Sequence, residues 1–376
     1  MTIWYYEDYQ QWINHGCMID DKVIILNISE TNLTELSESI NNLINLHILD
    51  CSSNELINLP ETLGNLINLQ ELNCSNNKLI KLPETIYNLI NLKILCCSNN
   101  KLSELQKYID KLINLRELYC SNNKLIKLPK TIGNLINLQY LSCVENKLTK
   151  IPKTIGNLIN LKILCCSNNK LTKLPETIGN LINLQNLYVR CNYLIVLPET
   201  ICNLINLLEL SCELNKLIKL PKYINKLIKL QNLDCSNNEL IKLPKFIYKL
   251  INLQELRFSN NKITELQTLL IKLKNLQYIY YDKYVEMSFI LQRFMDKIVY
   301  NFNNDVHNTS IHTSLLDSIN NLLLETIVTK YNIIDDDILD SKTKSILYNF
   351  IEDKTVGELL VTFEELLIYV FKKIEN

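Results

Sequence analysis

Leucine returns along most of this chain at a constant step. One series runs Leu49, Leu72, Leu95, Leu118, Leu141, Leu164, Leu187, Leu210, Leu233, Leu256, and a second runs Leu46, Leu69, Leu92 and onward to Leu276. Both advance by 23 residues. An asparagine series keeps the same step: Asn54, Asn77, Asn100, Asn123, Asn146, Asn169, Asn192, Asn215, Asn238, Asn261. No insertion or deletion interrupts these ten units, and all eight prolines, Pro60 to Pro244, share one phase. A fixed period of this length is the mark of supersecondary units that stack to build one continuous core.

The unit from Leu69 to Leu89 shows what each copy must do. Leu69, Leu72 and Cys74 have the spacing of a short strand with one buried face. Each strand would pair in parallel with its counterpart one unit away, and parallel strands require a return crossover. Pro83, with its fixed φ and missing N–H, suits the first turn of that crossover. Ile86 and Leu89 lie three apart, as on one face of a helical or 3₁₀ turn, and Leu79 and Leu82 fill the corner. Asn77 can donate and accept at once, so it can satisfy backbone groups left over where the chain leaves the strand.

These residues closely resemble the leucine-rich repeat family in its 23-residue intracellular form, over roughly residues 23–281, about 11 repeats. The resemblance implies an α/β solenoid, with parallel strands on the concave face and short helices or 3₁₀ turns on the convex face. It also implies a rigid surface that binds protein. The Asn/Ile/Lys-rich usage is similar to that of repeat proteins from AT-rich genomes such as amoebae and large DNA viruses.

A solenoid exposes its core and a sheet edge at each end. Val23 to Ile28 fits a first strand in phase, with Thr31 in place of the ladder Asn and Ser37 in place of Pro. Ahead of it, Trp4, Asp8 and Trp12 are four apart, with Tyr5, Tyr9 and Ile13 on the neighbouring stripe. This predicts an amphipathic cap helix over residues 2–14, within a cap domain 1–22; an aromatic docking peptide is the alternative. Leu276 to Ile279 reads as the last strand. Residues 285–376 change to helical periodicity, with helices expected near 287–302, 312–330, 337–351 and 356–374. This small all-α region would cap the array, form its own bundle, or do both.

Composition divides the chain in the same place. Residues 277–376 carry nine Lys/Arg and sixteen Asp/Glu, a net of −7, against +6 for the rest. Spread over 276 residues, +6 looks too dilute for nucleic acid, which favours concentrated basic stripes. Met1 to Trp12 has no basic segment followed by an apolar core, and no run of about 18 uncharged apolar residues exists. The expectation is therefore a cytoplasmic monomer (in the host cytoplasm if viral) with no membrane span and with its thirteen cysteines reduced.

Little in the sequence suggests chemistry. Cys51, Cys74, Cys97, Cys120, Cys143, Cys166, Cys212 and Cys235 share the buried strand phase, where Ile28, Val189 and Phe258 substitute, so the slot is apolar. Cys96 and Cys165 are expected on the concave face as exposed thiols. His307 and His312 are five apart, whereas two ligands on one helix face want three or four. No metal, cofactor or catalytic residue is assigned. The isolated glycines Gly64, Gly133, Gly156 and Gly179 share a crossover phase and form no phosphate loop.

Candidate binding residues are departures from the recurring Cys-Ser-Asn-Asn after each strand. They occur at Cys143-Val144-Glu145-Asn146, Val189-Arg190-Cys191-Asn192-Tyr193 and Cys212-Glu213-Leu214-Asn215. Tyr119, Tyr140 and Tyr188 fall in concave phase, as do Glu117, Glu209 and Arg257. Tyr and Arg are enriched at binding hot spots. The expected protein-binding patch is centred on Tyr140, Tyr188, Arg190 and Glu213, flanked by Tyr119, Val144 and Glu145. Drift in a recently duplicated array is the alternative explanation. The functional expectation is a non-catalytic protein-interaction module; the alternative is an adaptor whose C-terminal helices recruit an effector while the repeats select the target.

Overall fold

A computed structural model describes residues 2–302. The chain divides between Asn303 and Asn304 into two units, and every described residue lies in the first. The expected helices at 312–330, 337–351 and 356–374, and both His307 and His312, lie outside the described residues.

The first unit is a single sheet of 13 parallel strands in chain order. They are β1 (Thr2–Trp4), β2 (Val23–Asn27), β3 (Ile48–Asp50), β4 (Glu71–Asn73), β5 (Ile94–Cys96), β6 (Glu117–Tyr119), β7 (Tyr140–Ser142), β8 (Ile163–Cys165), β9 (Asn186–Tyr188), β10 (Glu209–Ser211), β11 (Asn232–Asp234), β12 (Glu255–Arg257) and β13 (Tyr278–Tyr280). From β2 onward a single 3₁₀ turn forms each crossover, as in Glu84–Asn88 after Pro83. The proline stands one residue outside the turn, at its N-cap, with φ −61° and ψ 146°, not in the first turn as the sequence suggests. Register is strict: from β3 to β13 each strand pairs with the residues 23 further on, as Leu164 with Leu187.

One continuous core runs through the array. Leu69, Leu72, Cys74, Leu79, Leu82, Ile86 and Leu89 are all buried, and the other units repeat the set. Each such side chain contributes roughly 1.5–3 kcal/mol. Beyond this, three polar ladders tie neighbouring units. In the first, Asn77 donates Nδ2 to Cys51 O, Cys74 O and Ser75 O at 3.0–3.2 Å, while its Oδ1 accepts from Leu56 N at 2.9 Å. In the second, the Asn before the strand donates to the preceding unit's Ile carbonyl, as Asn137 to Ile113 at 2.9 Å. In the third, Thr hydroxyls of the crossover donate to the preceding turn, as Thr154 to Lys130 O at 2.5 Å.

The cysteine slot is not purely apolar. Cys74 Sγ donates to Cys96 O at 3.3 Å, and Cys97, Cys120 and Cys143 repeat the contact with the next strand. Val or Phe fits the volume but omits this weak bond. The crossover glycines have a steric cause. A Cβ at Gly64 would lie 2.3 Å from Thr85 O of the next turn, and Gly133, Gly156 and Gly179 meet the next Thr in the same way.

Two tyrosines serve two of the three units that lack the proline. Ser37, Gln106 and Gln267 stand in the proline phase and so carry an N–H that proline lacks. Ser37 N donates to Tyr9 Oη at 2.9 Å, and Gln106 N to Tyr87 Oη at 3.3 Å. Both phenols are buried, and both are pushed up to about 12, by desolvation first.

The N-terminal end corrects one expectation. Residues 2–4 form strand β1, paired with β2, and helix α1 spans only Tyr6–Asn14. A helix over residues 2–14 would leave the backbone edge of β2 unpaired; β1 covers that edge while α1 brings Tyr9 and Trp12 over the core. Tyr5 N is capped by Asp8 Oδ2 at 3.0 Å. At the other end helix α2 (Phe289–Phe302) lays Leu291, Met295 and Ile298 into the core beside β13.

Candidate functional site

The strand residues that flank each buried leucine point to the concave face. There Tyr119 on β6 and Tyr140 on β7 pack ring to ring, with centroids 4.7 Å apart. Tyr119 donates its hydroxyl to Glu117 Oε2 at 2.7 Å, and burial, then that bond, raises its pKa. The Tyr140 hydroxyl lies 3.9 Å from Cys165 Sγ, and burial pushes Tyr140 up to about 12. Cys165 is therefore buried, against the expectation of an exposed thiol, because the Tyr140 side chain extends over it. Cys96 is half-buried, and desolvation, followed by Glu71 and Glu117, pushes its thiol up to about 12. Neither thiol has the low pKa that marks a reactive cysteine.

Three units further on, a second polar group forms. Tyr188 donates to Glu209 Oε2 at 2.6 Å, and Asn186 Nδ2 donates to both, at 3.1 and 3.0 Å. Burial and then the Glu209 bond push Tyr188 up to about 12, so it remains a neutral donor. Beside it Ser211 donates to Glu213 Oε2 at 2.6 Å, and Arg190 Nη1 stands 3.7 Å from Glu213 Oε1. Arg257 pairs with Glu255 at 2.5 Å and lies over the Tyr280 ring at 4.6 Å. These side chains surround a hollow of about 410 Å³, lined by Val144, Tyr188, Arg190, Glu209, Glu213, Asp234 and Arg257 among others.

Of the seven expected patch residues, Val144, Tyr188, Arg190 and Glu213 line this hollow. Tyr119 and Tyr140 form a separate tilted ring pair outside its lining. Glu145 leaves the strand face altogether: it sits at φ +53° in the turn before the ladder asparagine. Asn186, Asn232, Asp234 and Glu255 were missed. All lie in the strand phases on either side of the leucine, so reading those phases through every unit would have found them.

The turn that holds Glu145 requires a left-handed residue in every repeat. Asn76, Asn99, Asn122, Asn168, Asn237 and Asn260 occupy it with φ between +48° and +56°. Asparagine tolerates this conformation. Cys191, at +51°, and Leu214, at +54°, hold it next to the hollow, and Leu214 is 49% exposed. A γ-branched aliphatic side chain there costs about 1–2 kcal/mol and recovers little of it by burial.

Among the described residues no group of His, Cys, Asp and Glu could hold a metal ion. No helix among them is long and apolar enough to cross a membrane.

A parallel-strand solenoid with one strand per repeat, closed by 3₁₀ turns and an asparagine ladder, defines the class. Three family models match: a leucine-rich repeat region over residues 153–239, a two-copy leucine-rich repeat over 113–157 and a single repeat over 68–89. A leucine-rich repeat protein of Leptospira interrogans is 37% identical, with TM-score 0.70, covering 74% of this chain and 71% of that one. The chain belongs to the leucine-rich repeat family.

A plant peptide hormone receptor, solved in complex with its peptide, is 30% identical with TM-score 0.62 over 70% of this chain and 48% of the receptor. The functional domain of the internalin InlJ of Listeria monocytogenes, which includes a cysteine ladder, is 27% identical with TM-score 0.55 over 69% of this chain and 56% of that one. A comparison of the sequence with curated proteins gives no match. Leucine-rich repeat proteins generally mediate protein–protein interaction.

Proposed function

We propose that this protein is a non-catalytic interaction module that takes a protein partner on its concave face, at the hollow between β9 and β12. The observation that carries the reading is the coincidence of a preorganised polar hollow and a conformational cost at one place. The side chains round the hollow are already held by hydrogen bonds: Tyr188 and Asn186 on Glu209, Ser211 on Glu213. At its lip Cys191 and Leu214 keep left-handed backbone that asparagine would hold more cheaply. A contact made by the exposed Leu214 side chain offsets that cost. The packed rings of Tyr119 and Tyr140 would extend the footprint along the same face, with Glu145 at its rim. The peptide-bound plant receptor supports the general mode but says nothing of this partner.

The net −7 of residues 277–376 favours, as a second reading, an effector recruited by that region while the repeats select the target.

The full chain is used as bait in reducing buffer beside two variants, Tyr188→Ala/Arg190→Ala and a convex-side control, Lys245→Gln/Lys249→Gln. The expected result is a protein retained by the wild type and the control and lost by the concave variant, with all three melting together. Equal retention by all baits, or none by the wild type, refutes the concave-face reading.

A further inference from the structure

The sequence suggests that positive charge is dilute. The fold gathers it. Between residues 99 and 177 there are thirteen Lys/Arg and five Asp/Glu, a net of +8 in four consecutive units, more than the +6 of the whole array. Lys101, Lys124, Lys147 and Lys170 occupy one phase, immediately after the ladder asparagine, and all are exposed. Their backbone is bonded in register: Lys124 N to Leu102 O, Lys147 N to Leu125 O and Lys170 N to Leu148 O, at 2.8–2.9 Å. Neighbouring strands lie about 4.8 Å apart, so these lysines form a row at about that step. Lys127, Lys150 and Lys173, three residues later in the last three of these units, form a parallel exposed row, with Glu104 in that phase in the first, and Lys107, Lys130 and Lys153 form a third.

The row lacks counter-charges. In the end units the same phase is neutralised, Lys78 by Glu55 and Lys262 by Glu239. No lysine of the three central rows has an ion pair among the described residues. Like charges stacked directly opposite one another destabilise a sheet. Lys101, Lys124, Lys147 and Lys170 nevertheless repeat the arrangement over four units with no acid in their own row, on a flank distinct from the concave hollow; Glu104 and Glu176 stand in the phases of the second and third rows, at opposite ends of the patch.

We propose that this flank binds the phosphate backbone of nucleic acid, without reading sequence. The composition of the patch favours contact with phosphates over base readout or a bilayer. Its rows contain lysine and no arginine, so they offer point charges and no bidentate fork that would read a base. The exposed residues between the two main rows are Ser103, Ile126, Thr149 and Thr172, which give a bilayer little to bury. The cluster of exposed apolar residues on this flank, Tyr193, Ile195 and Val196, lies outside these four units and holds no row lysine of its own; elsewhere on the flank only single isoleucines, Ile80, Ile126 and Ile218, stand between row lysines. A membrane-adsorbing face would carry basic and apolar residues together. The patch has no aromatic between its rows for a base to stack on, so affinity comes from counterion release and falls steeply with salt.

The test uses the full chain and fluorescence anisotropy with a labelled 20-nucleotide single strand, from 50 to 200 mM salt. Phosphatidylserine-containing vesicles and poly-glutamate are the competing probes. Lys124→Gln/Lys147→Gln/Lys170→Gln is compared with the equally charged control Lys245→Gln/Lys249→Gln/Lys272→Gln. Binding is expected for the wild type and the control. In the row variant the slope of log K against log salt should be smaller by about 2, since each phosphate contact on a single strand contributes about 0.7. The row variant should also melt no lower than the wild type, because a repulsion has been relieved. The proposal is overturned by absence of oligonucleotide binding at 50 mM salt or by equal losses in the two variants. Tighter capture by vesicles or poly-glutamate overturns it as well. Tyr188→Ala/Arg190→Ala should keep most of the oligonucleotide affinity, which separates this surface from the concave one.

Discussion

Replacing Asn169 by alanine tests the asparagine ladder at a single rung. Its Nδ2 donates to Cys143 O at 2.9 Å, Ser167 O at 3.0 Å and Cys166 O at 3.2 Å, and its Oδ1 accepts from Leu148 N at 2.9 Å. The four bonds are not equally exposed to loss. Cys143 O also accepts from Asn146, Cys166 O from Asn192 and Ser167 O from Glu145 N, so every carbonyl keeps a donor. Only the buried Leu148 N–H is left with nothing. One orphaned buried donor costs about 1–3 kcal/mol, and the weakened carbonyl bonds bring the total to about 2–4 kcal/mol. Asn169→Asp should be worse at neutral pH. It keeps the acceptor for Leu148 but turns a carboxylate oxygen toward three carbonyls, and an unpaired buried charge costs about 3–5 kcal/mol. Burial raises that carboxyl pKa in the folded state. The protonated form is therefore tolerated at low pH, and stability falls as pH rises from the unfolded value toward the folded one. Urea unfolding gives both quantities from the shift in midpoint at constant m. An Asn169→Ala cost below about 0.5 kcal/mol, or an Asp variant no less stable than the Ala variant, refutes the assignment of the Leu148 N–H as the critical group.

Two further outcomes follow from buried titratable groups. Eight fully buried thiols, among them Cys97 pushed up to about 12 by desolvation, have folded pKa values above the ordinary 9.0. Their contribution is complete below the unfolded pKa and is lost as pH rises toward the folded values, at up to about 1.4 kcal/mol per pH unit for each thiol. In reducing buffer the urea midpoint should therefore drop steeply above pH 9, and Cys143→Val, a residue the phase accepts at Val189, should lessen the slope by one thiol; a midpoint constant to pH 10 contradicts this. Tyr87→Phe should cost about 1–3 kcal/mol by orphaning Gln106 N–H. Gln106→Pro, at φ −70°, removes that donor and should restore most of the loss in the double variant; additive effects would show that the pair is uncoupled.

Much of this fold was legible because its interactions repeat. The Leu, Pro and Asn phases each impose one local requirement, and ten copies make that requirement visible without a structure. The concave phase of Tyr188 and the ladder role of Asn77 followed directly. What escaped were contacts in which the partner lies one unit away. The second asparagine ladder, from Asn137 to Ile113 O, looks like surface polarity until the neighbouring carbonyl is in place. The glycine phase reads in the sequence only as a crossover phase, whereas Gly64 lies where a Cβ would crowd Thr85 O of the next turn. Tyr9 and Tyr87 are far from Ser37 and Gln106 in sequence, so no periodicity links them to the missing prolines. Residues 2–4 failed for a different reason: the four-residue aromatic spacing is helical, but the unpaired edge of β2 has the stronger claim on the backbone.

The same distinction grades the departures that suggest binding. At a position open to solvent and free of backbone constraint, a changed residue costs the array almost nothing and says little about selection. Tyr140 is such a case by sequence: its phase also holds Glu117, Ile163 and Asn186, and its ring finds a neighbour in Tyr119 after the fact. Leu214 and Cys191 differ. Their turn is held left-handed in every unit by the geometry that seats the ladder asparagine one residue later, so neither can relax. A changed residue at a constrained position must be offset elsewhere, and for an exposed Leu214 nothing within the described residues supplies the offset by burial. The inference to a partner is therefore stronger at Cys191 and Leu214, and at Glu145 in the same turn of the β7 unit, than at Tyr119 and Tyr140. Leu214→Asn makes the difference measurable. It should stabilise the free protein by about 1 kcal/mol or more, and if Leu214 belongs to the interface it should weaken partner binding at the same time. A variant that is stabilised and binds unchanged would return Leu214 to drift and leave Tyr188 and Arg190 to carry the site alone.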